Sequence, residues 1–230
     1  AINLGYGGNG PLIEFATLRE YLRPNVKNVL WLYYEDNDLK NIGWDLQSKI
    51  ISKFLKNDEF SQNLKSKKDY INLISIKKIE NALKLKKNEN KQVKKKFYFS
   101  DLILFIKISK TRKVLNNYLP KKYKPKFIIP KPPNEFKEIL KKTKALSVSN
   151  KSNFYFVYLP GYERYKRKLD IPYVDIKNIV EKLNIPFIDI HEEVFNKEKT
   201  PLQLFPFEDR GHYNIAGYNK VAEEIYNFIL

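Results

Sequence analysis

Two hydrophobic rhythms alternate along the chain. Residues 29–34, VLWLYY, are apolar or aromatic without a break and run into the polar cluster Glu35, Asp36, Asn37 and Asp38. An unbroken run of that length predicts a parallel strand covered on both faces, because a strand with one wet face would alternate. Residues 154–159, FYFVYL, repeat the pattern and stop at Pro160 and Gly161, and residues 185–190, IPFIDI, give a third run. Residues 2–4 read as the end of one more strand. Elsewhere the apolar positions return every three or four residues. Leu12, Phe15, Ala16, Leu18 and Leu22 form a helical stripe with Pro11 suited to its first turn, and residues 134–145, 174–183 and 215–230 carry further helical patterns. Strands that alternate with helices predict a parallel α/β sheet joined by right-handed crossovers.

Residues 45–125 interrupt this order. Ile50, Ile51, Phe54 and Leu55 predict a helix, residues 71–85 a second and Lys-rich one, and residues 102–119 a third. Residues 86–96 are nearly all polar, and the Pro-rich residues 120–133 must be extended. The stretch 45–125 is therefore read as a helical insertion within a single domain spanning 1–230.

Charge singles out the same region. Of the formal net +17, residues 61–150 contribute 25 Lys and Arg against 6 Asp and Glu, while the rest of the chain is slightly acidic. A segment so basic suits a solvated surface or contact with an anionic surface such as lipid or acidic polysaccharide. No recognisable nucleic-acid module accompanies it, so no specific nucleic-acid binding is expected.

Apolar residues make up 43% of the 230, enough for a sizeable core. No apolar run reaches the roughly 18 to 20 residues of a membrane-spanning helix. Zero Cys excludes disulfides, zinc thiolates and thiol nucleophiles and leaves the compartment open. Residue 1 falls inside what reads as a strand, which predicts further sequence upstream.

In open α/β sheets, sites form at the carboxyl ends of strands. Three polar groups fall there: Gly7, Gly8 and Asn9 after residues 2–4, Asn37 after residues 29–34, and Asp209 and His212 directly before the last helix. Gly5, Gly7 and Gly10 fit the spacing G-x-G-x-x-G of a phosphate-binding turn, with Glu35 or Asp36 available for ribose hydroxyls. That reading leaves Asp209 and His212 unused. An Asp three positions before a His in a loop suits an imidazole oriented through Nδ1, with Nε2 open to accept a proton from a hydroxyl. Glu163 and Arg164, with Tyr162 or Tyr165 as a stacking platform, read either as contacts to a polar or sugar substrate or as a structural ion pair. His191 reads as a surface-loop histidine.

Together, GYGGNG, the strand followed by Asn37 and Asp38, and the C-terminal D-x-x-H resemble the SGNH hydrolases, also called GDSL esterases. The resemblance implies a three-layer α/β/α, flavodoxin-like fold with sheet order 2-1-3-4-5. It also implies a Ser-His-Asp triad with Asp209 and His212, an oxyanion hole from Gly8 and Asn37, and neither metal nor cofactor. Asn9, Asp38, Glu163 and Arg164 are candidate substrate contacts. The implied substrates are O-acyl, especially O-acetyl, esters of carbohydrate or cell-envelope polymers, attacked by hydrolysis or acyl transfer. A placement facing the cell envelope or periplasm follows if an upstream segment carries a signal or anchor.

Two departures stand out. Glu35 occupies the place of the usual Gly in G-x-N-D, and there is no Gly-Asp-Ser: every serine, from Ser48 to Ser152, follows the glycine turn. The family's first strand and its nucleophile are thus expected upstream of residue 1, and the 230 residues alone are expected to be inactive. The competing reading is a non-catalytic module of the same fold that holds an anionic polymer or membrane through its basic insertion.

Overall fold

A computed structural model describes residues 1–93, 129–167, 172–209 and 211–230. The chain divides into two compact units, one formed by residues 1–62 and 129–230 and the other by residues 63–128.

The first unit is built on a three-stranded parallel sheet in the order β1 (Asn28–Tyr34), β2 (Asn153–Leu159), β3 (Phe187–Asp189). Each of the three long apolar runs supplies one strand. Along β1 the side chains of Val29, Trp31 and Tyr33 enter a core shared with Phe154, Phe156 and Tyr158 of β2. Helices α1 (Pro11–Tyr21), α2 (Asp38–Gln47), α3 (Ile51–Lys56), α5 (Asn134–Ser149) and α7 (Tyr173–Lys182) contribute to that core through Leu12, Phe15, Ile42, Phe54, Ile139 and Ile176. A second core on Val157 and Ile188 gathers Tyr162 of α6 (Tyr162–Arg167), Phe195, Phe205, Tyr213 and Val221 of α8 (Ile215–Ile229). Helical layers therefore pack on both sides of β2.

β1 differs. Leu30 and Leu32, on its second face, are 39% and 49% exposed, and β1 is one of the two edge strands of the sheet among the described residues. Glu35 N–H donates to Leu159 O across the β1–β2 ladder, whereas Tyr34 N–H donates to Asp38 Oδ2, so alternate residues address opposite sides. The peptide groups of Leu30 and Leu32 thereby face outward.

The strand expected at residues 2–4 does not form. These residues carry no regular structure, Ile2 is 57% exposed, and Asn3 Oδ1 accepts the Gly5 N–H at 2.8 Å. A strand needs a ladder, and here a side-chain turn satisfies the amide locally.

The second unit contains α4 (Lys68–Val93), which covers the Lys-rich helix expected at 71–85 and extends into the polar stretch after it. The helix expected at 102–119 and most of the Pro-rich stretch lie outside the described residues. Ile50 precedes α3, which packs Phe54 into the core of the first unit.

Candidate functional site

The glycine turn sits immediately before α1. Asn9 N–H donates to Tyr6 O at 3.2 Å, closing a four-residue turn in which Gly8 has φ +88°. That left-handed backbone is the third turn position, where a Cβ is penalised, so glycine is required by conformation. The Gly8 N–H is not part of the turn's own hydrogen bond. Asn41, one helical turn into α2, anchors the loop: its Nδ2 donates to Asn9 O at 3.2 Å and Gly8 O at 3.5 Å. Close packing fixes the exit, since a Cβ on Gly10 would lie 2.8 Å from Asn41 Cβ. Asp45 Oδ2 then accepts the N–H groups of Leu12 and Ile13 at 3.1 and 3.2 Å, satisfying the start of α1.

Asn37 is the N-cap residue of α2, and its carbonyl accepts from Lys40 N and Asn41 N at 2.9 Å each. Its amide oxygen is buried and accepts no hydrogen bond among the described residues. Asn41 links the two halves of the expected oxyanion hole: its backbone bonds Asn37, and its side chain bonds the Gly8 turn. Asp38 is buried, and its carboxylate takes the Tyr34 N–H at 2.8 Å.

Beside this lies a buried ion pair. Glu35, fully buried, receives Arg164 Nε at 3.0 Å on both carboxylate oxygens, Arg164 Nη2 at 2.7 Å, the Gly161 N–H at 2.6 Å and the Tyr158 hydroxyl. Where the SGNH pattern has glycine, this chain has a carboxylate that ties the end of β1 to the end of β2. Gly161 packs so tightly that a Cβ there would overlap the Asp36 carboxylate. Burial, and then the charge of Glu35, push Asp36 up to about 6, against stabilisation by the Tyr34 hydroxyl. Arg164 thus spends its guanidinium inside the protein on Glu35, and buried Glu163 faces Arg167 Nε at 2.6 Å, so the two residues pair with other partners rather than with each other.

The C-terminal block arrives at the same end of β1. Tyr34 is the bridge: its hydroxyl reaches Asp36 Oδ2 at 3.2 Å and Gly211 O at 3.4 Å, and its ring centroid is 5.3 Å from that of His212. His212 is exposed, while its neighbour Tyr213 is buried and donates to Pro160 O at 2.6 Å. Asn214 caps α8 by accepting Gly217 N–H at 3.0 Å and donates to Gln203 O at 2.7 Å. The segment is therefore anchored on both sides of an exposed imidazole. Asp209 is also exposed, and it follows two consecutive left-handed residues, Phe207 (φ +54°) and Glu208 (φ +50°), an uncommon backbone for side-chain-bearing residues. The Asp209 N–H donates to Pro206 O at 3.0 Å.

Other expectations are corrected. His191 is buried rather than on a surface loop, with Nδ1 2.7 Å from the Tyr165 hydroxyl and Nε2 3.4 Å from Arg164 Nη1. Burial, and the neighbouring Arg164 charge, hold its pKa below the ordinary value. Tyr162 and Tyr165 are packed against Phe205 and Phe195, so neither is an open stacking platform. Sequence reasoning missed Tyr34, Asn41 and Gly161. Tyr34 had a signal, as the last aromatic of an apolar run directly before the polar cluster.

Among the described residues no cluster of His, Cys, Asp and Glu has the grouping to hold a metal ion. What the fold and site define is an α/β protein with a parallel sheet, in which Asn37 follows β1, Asn41 ties the glycine turn to the helix after Asn37, and Tyr34 at the end of β1 meets the ring of His212. Comparison with family models, curated proteins and solved structures finds no match to this chain.

Proposed function

We propose that the chain carries the oxyanion-binding and acid–base parts of an SGNH-type serine esterase or acyl transferase. One observation supports this reading: Asn41, one turn after Asn37, hydrogen-bonds the Gly8 turn, and Tyr34 at the end of β1 places its ring centroid 5.3 Å from that of His212. In the reaction a serine hydroxyl attacks an ester carbonyl. Gly8 N–H and the Asn37 amide meet the charge that develops on oxygen. His212 takes the serine proton and returns it to the leaving alcohol, and Asp209 orients the imidazolium. Water or a second hydroxyl then resolves the acyl-enzyme.

The serine lies outside these 230 residues, on a strand that pairs with the outward-facing peptide groups of Leu30 and Leu32. Support for that place is the open side of β1 and the apolar character of a strand exposed on one face. The substrates are O-acyl, especially O-acetyl, esters of carbohydrate or envelope polymers, a choice that follows from the family resemblance.

Aryl-acetate hydrolysis by the protein joined to its upstream sequence is the test. Turnover that collapses in His212→Ala and in a variant of the upstream serine is expected. Absence of turnover with the upstream sequence present, or turnover unchanged in His212→Ala, overturns the reading.

A further inference from the structure

The second unit holds a surface that the esterase chemistry does not use. On α4, Leu73, Ile76, Ile79 and Leu83 are 51%, 54%, 59% and 56% exposed. At 100° per residue these four side chains fall within one arc of about 120°, and the row from Leu73 to Leu83 is roughly 15 Å long. Lys77 and Lys84 flank one side of the arc, and Lys68 and Lys86 flank the other. Two acids share the arc, Asp69 at its N-terminal end and Glu80, which is spaced four residues before Lys84 as a helical pair.

We propose that this face of α4 is an interfacial helix that docks the protein on an anionic phospholipid surface. Each candidate occupant meets only part of the pattern except one. A nucleic acid would answer the lysines and leave four large aliphatic side chains in water. A second copy would cover the aliphatic row and set one lysine border against another, in a region where 25 basic residues face 6 acidic ones. An anionic bilayer answers both: the aliphatic row enters the boundary between headgroups and acyl chains, and lysines at the rim reach the lipid phosphates with their stems along the apolar surface. The helix lies on the surface rather than through it, since no helix among the described residues is long and apolar enough to cross a membrane.

The test is co-sedimentation of the whole chain with vesicles of phosphatidylcholine containing phosphatidylglycerol, against phosphatidylcholine alone. Binding to the anionic vesicles that weakens as salt rises is expected. Ile76→Gln, Ile79→Gln and Leu83→Gln combined keep helix-forming residues at exposed positions, and should weaken binding by at least about tenfold with an unchanged melting curve. Lys77→Gln, Lys84→Gln and Lys86→Gln combined should do likewise. Equal binding to neutral vesicles, or full binding by the triple Gln variant of the aliphatic row, overturns the proposal. So does a dimer that this variant dissolves, or an oligonucleotide that binds the chain more tightly than the vesicles do.

Discussion

Arg164 lies across the carboxylate of Glu35, with Nε 3.0 Å from both oxygens, and joins the ends of two neighbouring strands beneath the loop that carries Asn37. Glu35 is fully buried, and the Arg164 side chain is 14% exposed. Removing one partner of such a pair strands a charge in the interior. Arg164→Met is expected to cost about 3 to 5 kcal/mol, and Glu35→Gln combined with Arg164→Met to cost clearly less than Arg164→Met alone. Urea denaturation midpoints of the two variants decide this.

Gly161 tests steric fit at the same place. With alanine there, the new methyl group displaces the Asp36 carboxylate, at a cost of about 1 to 3 kcal/mol. Asp36→Ala in the same chain opens the space and is expected to restore most of the loss, measured by thermal melting. Additive effects of the two substitutions would remove the steric explanation.

Stability should fall as pH rises. Burial, and then the carboxylates of Asp38 and Asp45, push Glu14 from 4.5 up to about 9. Between those values the folded chain keeps a proton that the unfolded chain has released, so the contribution is fully present below pH 4.5 and is lost progressively up to about pH 9. Asp38, raised to about 7, adds the same sign over a lower window. Glu14→Gln should flatten the profile and raise the stability of the protein at pH 8. Denaturant titrations across the pH range read the slope.

Catalytic predictions separate donors from supports. Under the proposed esterase reading, Asn37→Ala takes away the amide that would donate to the oxyanion, and kcat for aryl-acetate hydrolysis is expected to fall by about 100- to 1000-fold with little change in KM. Tyr34→Phe takes away a hydroxyl that lies within reach of both Asp36 Oδ2 and Gly211 O. A smaller loss of kcat is expected there, with a stability change of about 0.5 to 1.5 kcal/mol. Steady-state kinetics beside melting curves distinguish the two roles.

Periodicity sufficed for β1, β2, β3 and the helices that pack on them, because burial against a sheet imprints a local pattern. It failed at residues 2–4, where strand formation depends on a ladder rather than on Ile2 and Leu4 themselves. Legible in the sequence were the position of Asn37 directly after β1 and that of His212 directly before the last helix. The fastening between them was not: Arg164 and Glu35 are separated by 129 positions, and nothing local to either residue announces the other. Tyr34 left only its place in the pattern as a trace, since an aromatic at the end of an apolar run looks like core until its hydroxyl is seen at the rim.

The outer side of β1 bears on how this polypeptide behaves in a test tube. From Asn28 to Tyr34 it offers neither lysine nor proline, and its nearest charged gatekeepers are Lys27 at one end and Glu35 and Asp36 at the other. Outward-facing peptide groups such as those of Leu30 and Leu32, which no strand covers among the described residues, are a template for aggregation. The concentration at which the chain stays dispersed therefore reports directly on whether something covers Leu30 and Leu32.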